Sequence, residues 1–254
     1  GIGGERLQHV AVVPRGAVLE VNAETDFVAR KEQFQAFAKA AVQIALAGDI
    51  NDVEVLRAAK LADGKTVGDT LTTLIATIGE NMTLRRVQTL NVGQGVVSGY
   101  VHGPVSPGVG KIGVLVALES AGDAGKLAET GKQLAMHVAA ARPDALTVAD
   151  VDPAKIAREK AIIADQTAAS GKPPEIVAKM VDGRMRKYYE EVVLMEQTYV
   201  IDGETKVKQV IESAAKTAGA PVMVKAFVRY ALGEGIDKPT TDFAAEVAAQ
   251  AKLA

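Results

Sequence analysis

The feature that most restricts the fold of this chain is a pattern stated twice: an apolar hairpin, a short polar corner and a long Ala-rich helix. In its first statement Val10-Ala11-Val12-Val13 and Ala17 to Asn22 are the strands, and Pro14-Arg15-Gly16 is the turn, with Pro setting φ and Gly relaxing the exit. Val18-Leu19-Glu20-Val21-Asn22 alternates apolar and polar residues, as expected of a half-buried strand. Glu24-Thr25-Asp26-Phe27-Val28-Ala29-Arg30 is the corner, and the helix is expected from about Lys31 to Ala47 with Gly48 as its left-handed cap. In the second statement Val96 to His102 and Lys111 to Glu119 are the strands, separated by a 103–110 loop. Ser120 to Gly125 is its corner and Lys126 to Ala141 its helix, ending before Pro143. The repetition predicts an α+β core of two similar hairpin-plus-helix subdomains.

The segments between and after these units fill in the plan. Asp52 to Leu61 and Thr66 to Ile78 read as helices closed by Gly79-Glu80-Asn81, and Thr83 to Val92 reads as a strand in which Arg85 and Arg86 are adjacent. From Pro153 to Val193 the composition shifts to two long polar helices joined at Ser170-Gly171-Lys172-Pro173-Pro174, where Gly ends one and Pro starts the next. Val181, Tyr188 and Met195 recur at sevens with Val177 and Val192 between them, which predicts an inserted antiparallel coiled-coil hairpin. Thr205 to Thr217 is an amphipathic helix, Val222 to Leu232 a strand, Gly233-Glu234-Gly235 a break, and a terminal helix is expected from Thr241. The expected division is a core subdomain over 1–94, a second over 95–145 and 195–238, the insertion over 146–194 and a C-terminal helix over 239–254.

Composition narrows the function by exclusion. The 254 residues carry 29 basic and 31 acidic side chains, a formal net charge of −2, so no overall field attracts a polyanion. Aromatics are 4% of the chain and Trp is absent, which argues against a stacking platform; direct nucleic-acid binding is not expected. Apolar runs such as Val114 to Leu118 fall far short of the roughly 20 residues of a membrane span. The first residues lack the succession of a secretory signal, and cysteine is absent, a pattern compatible with a cytoplasmic protein.

Site chemistry is equally sparse. Gly108-Val109-Gly110-Lys111-Ile112-Gly113 matches the dinucleotide fingerprint in its letters, but a Pro-containing loop precedes it and a strand follows, so no helix N-terminus is expected to receive a pyrophosphate. Ile112 also stands where a Walker loop needs Ser or Thr. His9, His102 and His137 are scattered without metal spacing, and Ser98 lacks a nucleophile-elbow frame. No catalytic residue, metal or cofactor is expected, and a surface that acts on a partner is favoured over bond chemistry.

The corner after the first hairpin is the candidate surface. Thr25 suits an N-cap and Asp26 the positive end of a helix dipole, whereas Phe27 can fold into the core or project. On these seven residues alone the buried arrangement is favoured, because most Phe side chains are interior. The Thr-Asp-Phe triplet recurs at Thr241-Asp242-Phe243, where a helix start explains it.

Several stretches together resemble the bacterial elongation factor Ts family, guanine-nucleotide exchange factors of elongation factor Tu. They include Glu24 to Arg30, Ile78-Gly79-Glu80-Asn81-Met82-Thr83-Leu84-Arg85-Arg86, Tyr100-Val101-His102-Gly103, Met136-His137-Val138-Ala139-Ala140, Ser170-Gly171-Lys172-Pro173 and Gly233-Glu234-Gly235-Ile236, in family order. The resemblance implies a two-part core interrupted by a coiled-coil hairpin. It also implies partner-facing roles for Asp26 and Phe27 near the GTPase's magnesium and nucleotide site, with Thr25 and Val28 in the same motif. Ile78 and Gly79 of the Ile-Gly-Glu-Asn turn, and His102, are expected to face the partner too, while His137 is expected to be an ordinary helix residue. The implied function is promotion of GDP release from elongation factor Tu. The rival expectation is a scaffold working through the coiled-coil hairpin. A homodimer or a 2:2 complex with the GTPase is among the expected assemblies. Family members normally begin with a small three-helix domain carrying a Thr-Gly-Ala-Gly motif, which is expected to be missing here, and the 103–110 loop is an extended variant.

Overall fold

Strands Arg15–Ala23 and Ile112–Glu119 carry buried side chains on both faces, so each must be covered twice, and that requirement sets the architecture. The computed structural model describes residues 5–7 and 14–236. In chain order the first half comprises β1 (Glu5–Leu7), β2 (Arg15–Ala23), α1 (Asp26–Ala29), α2 (Glu32–Gly48), α3 (Val53–Ala58), α4 (Val67–Ile78) and β3 (Met82–Asn91). The second comprises β4 (Gly95–His102), β5 (Val109–Gly110), β6 (Ile112–Glu119), α5 (Ala124–Ala141), the inserted pair α6 (Pro153–Ala168) and α7 (Pro174–Val192), then α8 (Val207–Ala218) and β7 (Met223–Ala231).

The two antiparallel sheets run β3-β2-β1-β5 and β4-β6-β7. On one face of β2, Ala17, Leu19, Val21 and Ala23 pack with Phe34, Ala38 and Val42 of α2 and with Leu56, Val67 and Leu71 of α3 and α4. The other face turns Val18 toward Leu115 and Ala117 of β6 and Val97 of β4. On the far side of the second sheet, Val114, Val116 and Leu118 meet Leu127, Leu134 and Val138 of α5 and Val207 and Ile211 of α8. The result is helix, sheet, sheet, helix in four layers, with period-2 alternation on the central strands distributing side chains between two cores.

The repeat seen in the sequence is real in three dimensions and reaches the backbone angles. Each central strand pairs on one side with an earlier strand, β2 with β1 and β6 with β4, and on the other with a later strand that returns after the helices; the register against that returning strand shifts in both, at Glu20/Val21 and at Ala117/Leu118. The helices that follow the central strands end on non-Gly left-handed residues with nearly equal angles: Asp49 after α2 (φ 50°, ψ 45°) and Arg142 after α5 (φ 51°, ψ 53°). The helices that lead into the returning strands end on left-handed glycines, Gly79 (φ 79°, ψ 17°) and Gly219 (φ 79°, ψ 14°).

Several expectations need correction. Gly48 is helical and the left-handed cap falls on Asp49, a residue type that enters this region more readily than most, and its carboxylate is held by hydrogen bonds from the Thr89 hydroxyl and from Asn91 Nδ2 of the distant β3. β2 is buried on both faces, so Glu20 lies between the sheets rather than in solvent. The 103–110 loop contains β5, which adds to the first sheet by pairing with β1. α7 ends at Val192, so Met195 lies outside the heptad seam in a 3-10 turn; the buried seam residue of α7 is Met185, facing a helix whose Ile163 and Thr167 are buried. Arg15 and Gly16, expected in a turn, open β2 and pair with Asn91 and Leu90 of β3, because the returning strand extends the ladder to that end. The expected strand over 10–13 and the expected terminal helix from 241 lie outside the described residues.

Candidate functional site

The corner is built by a strand that ends and a helix that has not yet begun. β2 stops at Ala23, and Thr25 has extended angles (φ −129°, ψ 152°) suited to an N-cap, yet its side chain makes no capping bond. Instead the Thr25 hydroxyl donates to the Glu80 carboxylate, 2.9 Å from each oxygen, across 55 residues of sequence. The expected cap at Thr25 is therefore absent: its oxygen accepts from no backbone N–H of α1, and the hydroxyl is turned to Glu80 instead.

The single turn of α1 that follows is split by burial. Val28 and Ala29 are buried in the first core and Asp26 is exposed, while Phe27 is 79% exposed. Lys31 N–H donates to Val28 O at 2.9 Å and Gln35 Nε2 to Ala29 O at 3.0 Å, which locks the end of the turn onto the start of α2. Phe27 thus projects from a turn whose inner side is anchored. Leaving a Phe in water forgoes about 2 kcal/mol of burial, and among the described residues Phe27 is the most exposed large hydrophobic, at 79% against 57% for the next, Val55. The core placement favoured by the seven residues alone is overturned.

The predicted site residues fall into two places. Thr25, Asp26, Phe27 and Val28 are joined by the Thr25–Glu80 bond to the turn after α4, so Gly79 lies next to the partner of Thr25, and Val28 and Ile78 pack against the same core. His102 is not part of this group. It ends β4 on the outer face of the second sheet, where it is exposed, with its Nδ1 3.2 Å from the Tyr100 hydroxyl. There it borders a cleft of about 370 Å³ lined by Tyr100, His102, Met136, Arg142, Val200 and Ile201. Val200 and Ile201 are both exposed.

Three participants escaped the sequence reading. Glu80 is the first. Glu20, fully buried between the sheets, is the second: it receives Arg85 Nη1 at 2.9 Å, Arg86 Nε, and the Gly233 N–H at 3.0 Å. Arg86 also donates to Ala231 O and stacks 4.0 Å from the centre of the Tyr230 ring, so one guanidinium bridges both sheets. Adjacent arginines in an apolar strand were the available signal. The third is His137, whose Nδ1 accepts the Val200 N–H at 3.1 Å, leaving Nε2 to carry the proton and donate to Gln197 Oε1 at 2.9 Å. Burial lowers its pKa, against a smaller opposing effect of Gln197. This ring is a structural tie for the segment that presents Val200 and Ile201.

The glycine run at 108–113 forms strand β5 and leads into strand β6, with no helix N-terminus to receive a phosphate. Among the described residues, no group of three or more His, Cys, Asp or Glu side chains could hold a metal ion. No helix of the described residues is long and apolar enough to cross a membrane.

Comparison with known proteins places this chain in a family. A family model described as Elongation factor TS matches residues 24–234, from the corner to the loop after β7. Proteins named elongation factor Ts are similar over nearly all of the chain. That of Rhodospirillum centenum is 60% identical over 253 residues, 98% of this chain and 82% of the relative. That of Rhodospirillum rubrum is 56% identical over 93% of this chain and 77% of the relative, and that of Caulobacter vibrioides 51% identical over 96% and 80%. The chain belongs to the elongation factor Ts family.

Proposed function

We propose that this chain promotes GDP release from the GTPase elongation factor Tu during translation elongation, in the cytoplasm, and that the Asp26-Phe27 corner is its working surface. The observation that carries the site assignment is the exposure of Phe27 on a turn whose next two residues, Val28 and Ala29, are buried. A rigid base with a projecting aromatic is the form of an interface anchor, since little ordering entropy remains to be lost on docking.

Phe27 enters a pocket of the GTPase as a wedge, with the Asp26 carboxylate beside it, and disturbs the groups that hold magnesium and the nucleotide phosphates. Magnesium bridges phosphate oxygens and protein ligands in a nearly fixed octahedron, so displacing a ligand weakens nucleotide binding while every covalent bond stays intact. The chain is therefore an exchange factor and not an enzyme of bond chemistry. Linkage makes the effect reciprocal: as the factor weakens GDP, GDP weakens the factor by the same ratio, and incoming GTP displaces it. Ile78 and Gly79, beside the corner, extend this surface. His102 with Tyr100, Val200 and Ile201 forms a second contact region on the other sheet.

The test is Phe27→Ala in an assay of GDP release from elongation factor Tu with a fluorescent GDP analogue. Stimulation should fall about thirtyfold, the value of an aromatic anchor worth about 2 kcal/mol, with thermal unfolding unchanged. Unaltered release removes the wedge assignment. A second reading, in which the α6–α7 hairpin is the working arm of a scaffold, draws on the exposure of Ile162 and Ile176 toward its tip. It predicts that deleting the hairpin abolishes exchange, where the wedge reading predicts that most of it survives.

A further inference from the structure

We propose that Glu80 is a positioning residue for exchange: by accepting the Thr25 hydroxyl it fixes the direction in which Phe27 projects. The inference rests on the wedge reading above and adds to it a residue outside the corner itself.

The geometry of α1 requires such a tether. Four residues make one turn, which cannot sustain itself because nucleation costs more than a single turn returns. Its start has no side-chain cap, since Thr25 directs its hydroxyl away from the turn. The end of the turn is held by the burial of Val28 and Ala29 and by the bonds to Lys31 N and Gln35 Nε2. Upstream, the nearest fixed residue is Ala23, buried and paired with Met82 at the end of β2, which leaves Glu24 to Phe27 spanning the gap to Val28. The Thr25–Glu80 bond is the attachment within that span, and it lies two residues from Phe27.

The other half of the molecule supplies an independent argument. There the corner after the central strand is tied to the equivalent helix end by the backbone: Asp123 N–H donates to Ala218 O at 2.9 Å, just before Gly219. Asp123 keeps its side chain for capping α5, accepting from Gly125 N and Lys126 N. In the first half the same junction, just after Gly79, is made by two side chains, and the cap is given up. A hydroxyl donating to a carboxylate is a stronger tie than one donating to a neutral acceptor, and the left-handed Gly79 turns the chain so that residue 80 meets the corner.

If the tie is loosened, the placement of Phe27 that fits the GTPase becomes one of several. Apparent affinity then falls by the fraction of molecules that hold it. Thr25→Val, which keeps the shape of the side chain, and Glu80→Ala should each raise the concentration of factor giving half-maximal GDP release about five- to tenfold. The double variant should be no worse than either single, because both remove one bond. Glu80→Gln, which keeps an acceptor oxygen, should recover most of the loss. Amide hydrogen exchange should quicken at Arg30 and Lys31, the bonded amides of the turn, in Thr25→Val and Glu80→Ala alike.

The outcomes separate the two layers of the proposal. If Phe27→Ala is impaired while Thr25→Val and Glu80→Ala behave as the unmodified protein, the positioning role is wrong and the wedge stands. If Phe27→Ala is itself unimpaired, the wedge fails and the exchange role of Glu80 fails with it. A loss that simply follows a fall in thermal midpoint, with Glu80→Gln as poor as Glu80→Ala, assigns Glu80 to stability and also overturns the proposal.

Discussion

The corner at Glu24 to Arg30 and the corner at Ser120 to Gly125 occupy the same place in the two halves, each between a central strand and its long helix. The second is closed. Ser120 is buried, Gly122 N–H donates to the Ser120 hydroxyl at 3.0 Å, and Gly122 lies so near Ala218 that a Cβ would come within 2.6 Å of its carbonyl oxygen. Asp123 caps the helix in the ordinary way. The first corner inserts an extra turn, turns its capping residue outward to Glu80 and leaves a phenyl ring in water. One junction thus appears once optimised for stability and once with a local rule broken, and a broken local rule is where function is expected. Of two corners in the same place, the one that departs from ordinary capping and burial is the candidate surface.

The largest expected effect that would test this contrast is Phe27→Ala, with about a thirtyfold loss of stimulated GDP release and a stability change within about 0.5 kcal/mol. A thermal scan beside the release assay checks both. Gly122→Ala should show the reverse. The added methyl meets backbone at the Ala218 carbonyl, so about 1–3 kcal/mol of stability should be lost in denaturant unfolding, while exchange by the folded fraction is unchanged. If both variants lost function without stability, the two corners would be equivalent and the contrast would fail.

Asp123→Ala removes a true cap and should cost about 1 kcal/mol of stability. Its counterpart Thr25→Val removes no cap, so its cost should appear in half-maximal exchange concentration and hardly at all in the melting curve. Equal melting losses in the two would show that Thr25 acts as a cap after all. The smallest effect concerns acid. His137 is buried with a lowered pKa, mainly through desolvation, so the unfolded chain binds a proton that the folded chain refuses. The sign follows: its contribution is fully favourable above about pH 6.5 and declines as pH falls below that value toward the lowered folded pKa. Protonation also removes Nδ1 as acceptor for Val200 N–H. Unfolding midpoints between pH 7.5 and 5.5 should fall less in His137→Gln than in the unmodified protein.

Much of this molecule was legible in its residues. The second hairpin-corner-helix unit, the corner and long helix of the first, the helices ending at Gly79 and before Pro143, and the Pro-started hairpin helices all follow from periodicity and from Gly and Pro, signals carried by near neighbours. The motif residues that mark the family are likewise linear. The cap at Asp49 and the burial of Glu20 were not legible, because each depends on a strand far along the chain: Thr89 and Asn91 for the first, Arg85, Arg86 and Gly233 for the second.

The exposure of Phe27 is the decisive case. The sequence by itself determined that a strand would end near Ala23, that a helix would follow, and that a polar stretch with one aromatic would join them, because those outcomes rest on local propensity and hydrophobic period. Only the tertiary structure decided which way the aromatic points. That direction depends on Val28 having filled the core and on Glu80 having taken the Thr25 hydroxyl, two conditions set by contacts between residues distant in the chain. A side chain's burial is a property of what surrounds it, and the surroundings here are assembled only when α4 and β3 close against the corner.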